Sequence, residues 1–404
     1  LRVLIERSSM SNSILLAAAG DISFNGETGD AVLRNGPDYV FAAIKPVIAD
    51  ADVRFANMES VLIPPDFPPG ELSPKALASV DTVAPALKSS GMDVLTMASN
   101  HVLDCGTVGM EHTRKTLSAL GIKTFGAGLD IKQAHKPLVV EKYGLKIGFL
   151  GYQEDCNYTY GHIGEGPAYV EEKAILRDMK KLRPQVDVLI LCLHADLEFM
   201  ETPSVWRRDL SRRLAQAGAD LIVEHHPHVP QGVERVGKCL IAYSMGNFVF
   251  DAHVNGYMKD NGPHTGHSFV LKVRLSKDGA GDFERVPFDI SQPPGQRPVP
   301  MTGTALDEGL RYLEYLDKQL ADDKVVLDNW RKRCLSMLEI YLRRCEKMPA
   351  EKFMERWAWV LFGGVHENSA WTSELFTMAR ERFEQEAHAD KPFLKYHRPS
   401  YKYE

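Results

Sequence analysis

Between residues 13 and 290, short apolar runs rich in β-branched side chains alternate with longer segments whose apolar residues recur at helical spacing. The runs are 14–19, 53–56, 94–98, 146–150, 188–193, 221–223 and 240–243. Their length, their β-branched content and the turn residues around them favour buried strands over helices. Segments 110–120, 170–182 and 205–217 read as the intervening helices. Strand–helix alternation of this kind requires a layered α/β fold, with central sheets flanked by helices. After residue 283 the pattern changes. Residues 291–300 (SQPPGQRPVP) are rich in proline and polar groups and read as a linker, with a boundary near residue 298. Beyond it, Leu, Tyr and Trp recur among charges to about residue 387, as expected of a helical C-terminal appendage. The expected division is therefore a disordered or non-native start over 1–12, a main domain over 13–298 and a helical region over 299–404.

Composition limits what such a chain does. At 404 residues and 44% hydrophobic side chains it can bury a full core. A net charge of -6 and the absence of long basic runs argue against nucleic acid or an anionic membrane as partner. The six cysteines (Cys105, Cys156, Cys192, Cys239, Cys334, Cys345) are scattered, with no C-x-x-C pair. Reduced thiols in a reducing compartment follow from that spacing. No apolar stretch approaches the ~18–20 residues that cross a bilayer. The run at 14–19 is also too short for the core of a signal peptide, and Met10 is available as an internal start. The expectation is a cytoplasmic soluble protein.

Polar clusters follow five of the apolar runs directly: Gly20-Asp21, Asn57-Met58-Glu59, Asn100-His101, His194 and His226-Pro227-His228. Sites in open α/β sheets form at the carboxyl ends of strands, so these clusters are expected to converge on one rim. Singly, each has an ordinary explanation. Gly-Asp after a strand is commonly a turn or cap, and a lone histidine at a strand end is commonly a satisfied edge residue. His-x-His is more specific, because alternate extended positions aim both imidazoles one way. Carboxylate, amide and imidazole without thiolate suit two divalent ions of Mn, Fe or Zn, bridged by a carboxylate.

The ordered motifs carry a family resemblance over residues 14–251. They are GD (Asp21), N-x-E (Asn57, Glu59), S-N-H-x-x-D-x-G (Ser99 to Gly106), H-x-x-x-E (His194, Glu198), H-P-H-V-x-Q-G-x-E (His226 to Glu234) and Y-S-x-G-N-F-V-F-D (Tyr243 to Asp251). This series resembles the capsule-synthesis CapA family, a branch of the calcineurin-like metallophosphoesterase superfamily associated with poly-γ-glutamate synthesis. The resemblance implies an α/β/β/α sandwich. It also implies that Asp21 and His228 hold one ion, that Asn100, His194 and His226 hold the other, and that Glu59 bridges them. His101 would act as general acid or steady the transition-state charge, with Asp104 orienting its ring. Water activated by the ions would attack a phosphoester or a related bond in a small molecule or an acidic polymer.

Departures from the family pattern matter as well. The superfamily's D-x-H has Ser23 at its third position, so one ion lacks a histidine ligand. Where H-W-G-x-E is common, this chain has His194-Ala195-Asp196-Leu197-Glu198, and Glu224 stands where glycine is frequent. Asp196, Glu198 and Glu224 are either an acidic rim for an amine-bearing substrate or ordinary solvated loop carboxylates. Asn57 and Asn247 are further substrate-contact candidates, and 251–267, with three histidines, is a candidate substrate loop. Cys105 and Cys192 read as packing residues. Two rival functions remain open: γ-glutamyl amide hydrolysis or acyl transfer at the same metals, and a non-catalytic role in polymer or capsule assembly. The C-terminal helices are candidates either for self-association or for a lid over the site.

Overall fold

The computed structural model describes residues 13–154, 164–345, 348–362 and 366–388. The start at 1–12, expected to be disordered or non-native, and Cys156 lie outside them. Each apolar run forms a strand. In chain order these are β1 (Ser13–Ile22), β2 (Val53–Met58), β3 (Val94–Thr96), β4 (Lys123–Phe125), β5 (Leu138–Lys142), β6 (Leu145–Gln153), β7 (Val188–His194), β8 (Leu221–His225), β9 (Val233–Val236), β10 (Cys239–Ala242), β11 (Asn247–Val249), β12 (His267–Ser276), β13 (Gly279–Ile290) and β14 (Pro298–Pro300). The principal helices are α1 (Glu27–Asn35), α2 (Ala84–Ser90), α3 (Gly106–Ala119), α4 (Glu172–Leu182), α5 (Val205–Gln216), α6 (Gly256–Asn261), α7 (Gly303–Ala321), α8 (Asp323–Cys345), α9 (Ala350–Phe362) and α10 (His366–His388).

Two sheets result. The first has the order β14-β13-β12-β1-β2-β3-β4, with β11 paired to the end of β1, and the second has the order β9-β10-β8-β7-β6-β5. β1, β2, β3 and β4 run parallel, as do β6, β7, β8 and β10, so the carboxyl ends of the central strands share one edge in each sheet.

Strand alternation builds the layers. Ile14, Leu16 and Ala18 of β1 face a core shared with Ile147, Phe149, Val188, Ile190 and Val223 of the second sheet. Ala17 and Ala19 face the opposite way, into a core with Val32, Leu87, Met110 and Leu117 of the first helical layer. A third core places Leu189, Leu191 and Ile222 against Ile175, Met179, Leu210 and Leu214 of α4 and α5. Period-two strands with both faces apolar can be buried on both sides only in such a stack, which is an α/β/β/α sandwich. Phe55 and Phe149 stack across the inter-sheet core with ring centroids 6.0 Å apart. Burying each such side chain contributes about 1.5–3 kcal/mol.

The chain divides into two compact units, Leu1–Leu327 and Asp328–Glu404. The boundary expected near residue 298 instead lies inside the first unit, at the start of β14, and α7 belongs to that unit. Asp317 of α7 accepts from the Val233 amide at 2.8 Å and pairs with Arg285 at 2.6 Å. Gly232 lets the helix approach, since a Cβ there would lie 2.8 Å from the Leu316 carbonyl oxygen. Tyr312, an aromatic residue of the C-terminal region, stacks on His264 and donates to Glu201 at 2.6 Å. A chain ending at Leu327 is thus expected to stay soluble and folded. One ending at Pro300 uncovers the surface that receives Leu313, Leu316 and Leu320, and should aggregate. Size-exclusion chromatography of the two truncations checks this. Within the second unit, Trp371 stacks on Tyr341 at 5.4 Å, and Arg331 pairs with Glu374 at 2.9 Å and Glu381 at 2.8 Å.

Candidate metal centre

The two parallel edges bring the five polar clusters together. In the first sheet, Asp21 is in register with Asn57 on one side and Asn247 on the other. In the second, His194 is in register with Gln153 and with His225. Asn57 Nδ2 donates to Asp21 Oδ1 at 2.8 Å and lies 3.2 Å from His194 Nδ1. His194 Nε2 meets Asn100 Oδ1 at 2.8 Å, joining the sheets across the rim. His226 and His228 occupy the turn after β8 with φ of 97° and 58°, a left-handed region that side chains rarely adopt. Such backbone strain persists only where the surroundings hold it, and it gathers at functional sites. Here Phe199 N bonds to the Pro227 carbonyl at 2.8 Å, and Asn247 clasps His228, its Oδ1 lying 2.9 Å from the ring Nδ1.

Three overlapping groups place ligand-type atoms within 4.8 Å of one another: Glu59 with His194 and His226, Asp21 with Glu59 and His228, and Glu198 with His226 and His228. The electrostatics of this cluster are unbalanced. Both carboxylate oxygens of Glu59 are buried and lack a hydrogen-bond partner. Burial, with the negative charges of Asp21, Glu198 and Asp104, pushes its carboxyl well above the usual range. Burial also opposes ionisation of Asp21, but His225, His194 and His228 hold its carboxyl well below the usual range. Burial pushes His194 and His226 down; neighbouring imidazoles add to this, while Asp21 opposes it at both and Glu198 opposes it at His226. Imidazole nitrogens beside carboxylate oxygens that no hydrogen bond satisfies form a donor set of nitrogen and oxygen that divalent ions fit. The residues present therefore fit divalent metal.

The remaining candidates fall into two groups. His101 lies at the rim, and its Nδ1 is 2.6 Å from Asp104 Oδ2, which also accepts from the Leu77 amide at 2.6 Å. Asn57 braces Asp21, and Asn247 braces His228. Asp196 and Glu224, by contrast, turn into the protein. The Asp196 carboxylate accepts from Leu197 N at 2.9 Å and Ser204 N at 2.7 Å, while Glu224 pairs with fully buried Arg207 at 2.7 Å. Burial pushes the Asp196 carboxyl up to about 6 and that of Glu224 up to about 7. Glu198 alone of the three acids faces the histidines. Sequence reasoning missed His225, whose Nδ1 lies 3.2 Å from Asp21 Oδ1 and whose ring packs on Phe55. Strand alternation after Val223 was the signal that could have found it. Part of 251–267 forms α6, and its Tyr257 hydroxyl donates to Glu198.

Asp, Glu, Asn and His are thus gathered at the strand ends of a four-layer α/β/β/α sandwich. Residues 15–252 match the family described as bacterial capsule synthesis protein PGA_cap. The chain belongs to that family. It is 28% identical over 353 residues to the capsule biosynthesis protein CapA of Bacillus anthracis, covering 85% of this chain and 80% of the relative. It is 27% identical over 287 residues to the PGA biosynthesis protein CapA of Bacillus subtilis, covering 70% of this chain and 73% of that one. Among solved structures it is similar to a putative 5'-nucleotidase of Staphylococcus aureus (12% identity, 75% of this chain, 58% of that chain, TM-score 0.43). A 5'-nucleotidase of Candida albicans is similar at 13% identity, over 80% of this chain and 58% of that chain, with a TM-score of 0.43. Among the described residues no helix is long and apolar enough to cross a membrane.

Proposed function

We propose that this chain is a metal-dependent hydrolase whose rim holds two divalent ions of Mn, Fe or Zn and directs water at a phosphoester or a related bond. The observation that carries this reading is Glu59, a fully buried carboxylate with, among the described residues, no hydrogen bond to either oxygen and only His228 Nε2, at 3.6 Å, near it as a cation, set among Asp21, His194, His226 and His228. An uncompensated buried charge is too costly to keep without a partner. Asp21 and His228 would hold one ion, Asn100, His194 and His226 the other, and Glu59 both. Bound there, the ions supply Lewis-acid charge and lower the pKa of water. The chain's own residues do the rest. Asn57 fixes Asp21, and Asn247 fixes His228. Asp104 accepts a hydrogen bond from His101 Nδ1–H and so orients the ring, and Nε2, carrying the second proton of the imidazolium, would deliver that proton to the leaving oxygen.

Elemental analysis of the purified chain and of Glu59→Gln, beside turnover of a phosphoester panel, tests this. About two equivalents per chain are expected, falling in the variant together with turnover. Metal near zero that added Mn, Fe or Zn does not restore would overturn it. His101→Asn should keep its metal and lose about 10²-fold in kcat.

The name of the Bacillus subtilis relative, a PGA biosynthesis protein, favours a second reading in which the same centre acts on a γ-glutamyl amide or an acidic polymer. γ-Glutamyl amides belong in the same assay. Full metal content with turnover of neither class would instead favour a non-catalytic partner in polymer or capsule assembly. The exposed Leu335, Leu342, Met354 and Phe376 of the second unit favour self-association, which light scattering would detect.

A further inference from the structure

The ligand set carried over from the superfamily is one short, because Ser23 occupies the third position of D-x-H. Ser23 is fully buried, with its amide bonded to the Val249 carbonyl at 2.7 Å and its hydroxyl taken by Asn25 N at 3.3 Å, so it has no imidazole to offer. Across the rim, Glu198 has no counterpart in that set, yet its Oε1 lies 3.8 Å from His228 Nε2, and it groups with His226 and His228 as tightly as the expected ligands group with one another.

The loop that carries Glu198 is built to aim it. Asp196 takes φ 91° and Phe199 takes φ 64°, both in the left-handed region. Asp196 stands where glycine is common, and its side chain compensates for the strain by accepting two backbone amides, Leu197 N and Ser204 N. Its own amide donates to Glu154 Oε2 at 2.7 Å. Phe199 N ties the loop to the turn that carries His226 and His228. From α6, the Tyr257 hydroxyl donates to Glu198 Oε2, while Oε1 faces His228. Glu198 is thus fixed from both sides of its own loop and by a hydroxyl from a third segment.

We propose that Glu198 is a metal ligand at the His228 end of the centre, replacing the histidine that position 23 lacks, and that Tyr257 is the positioning residue that holds it there. The inference rests on the two-ion reading above. An oxygen ligand in place of imidazole also shifts that position toward harder ions such as Mn.

The test is Mn(II) binding to the full chain, by elemental analysis for stoichiometry and by electron paramagnetic resonance titration for affinity, in wild type, Glu198→Gln and Tyr257→Phe. Glu198→Gln should lose one equivalent or bind its weaker ion at least about tenfold less tightly, and Tyr257→Phe should keep the stoichiometry with affinity lowered on the order of tenfold. Tyr257 is half exposed, so its variant reports even if Glu198→Gln fails to fold. Glu198→Gln with wild-type stoichiometry and affinity overturns the inference and leaves the two-ion reading standing. A wild-type chain that binds no metal overturns that reading instead. Loss in Glu198→Gln with no change in Tyr257→Phe keeps Glu198 as ligand and removes the role given to Tyr257.

Discussion

Glu224→Leu should destabilise the first unit by about 3–5 kcal/mol, the cost of leaving a buried charge without its partner. Arg207 is fully buried, and its guanidinium meets Glu224 Oε2 at 2.7 Å. Its other guanidinium nitrogens make no hydrogen bond among the described residues. Arginine cannot shed its proton, so removing Glu224 strands a charge that has no escape. The reciprocal change is milder. Burial pushes the Glu224 carboxyl up to about 7, so after Arg207→Met it can take a proton, and the loss should be about 1–3 kcal/mol. Replacing both by Met and Leu should recover most of the stability, because an apolar pair of similar volume avoids desolvating two ions. Denaturant midpoints of the three variants at pH 7 measure this. A double variant no better than Glu224→Leu would show that the pair is not the source of the cost.

That pair also marks where sequence reasoning stops. The layered fold was legible because the apolar runs, from 14–19 to 240–243, are buried along nearly their whole length and form interior strands of the two large sheets. The rim was legible for a related reason: Asp21, Glu59, Asn100, His194 and His226 each stand at or just past a run's end, and parallel strands share an edge. What stayed hidden depends on partners distant in sequence. Asp196 and Glu224 look like loop carboxylates until Ser204 and Arg207, both near the start of α5, are seen to take them. Tyr257 was one polar residue among many in 251–267 until α6 carried its hydroxyl to Glu198. Asp317 gave no sign that it pins α7 to the Val233 amide, so the proline-rich stretch at 291–300 looked like the end of a domain. In each case a side chain's role was set by a contact that no local pattern encodes.

Gly20→Ala is expected to be the most disruptive single-methyl change at the centre, costing about 3 kcal/mol, the upper end for overpacking, because the atoms it strikes are main chain. A Cβ on Gly20 would sit 1.8 Å from the Gly246 carbonyl oxygen and 2.8 Å from its carbon. Neither can swing aside as a side-chain tip would. The Gly246 carbonyl accepts from Asp21 N at 3.1 Å, and the same stretch pairs Asp21 with Asn247. Moving it therefore shifts a proposed ligand and, through Asn247, the clasp on His228. Gly246 adopts φ 70°, and its surroundings are tight: even a Cβ there would lie 3.1 Å from the His267 carbonyl oxygen and 3.2 Å from Pro230. The variant should melt well below wild type and retain less metal after dialysis against a mild chelator. Gly70→Ala serves as the control, because a Cβ there meets nothing within 4 Å. If Gly20→Ala melted and held metal like that control, the close approach of β1 to the turn before β11 would not be what seats Asp21. The alignment of the rim would then have to come from the Asn57 contact alone.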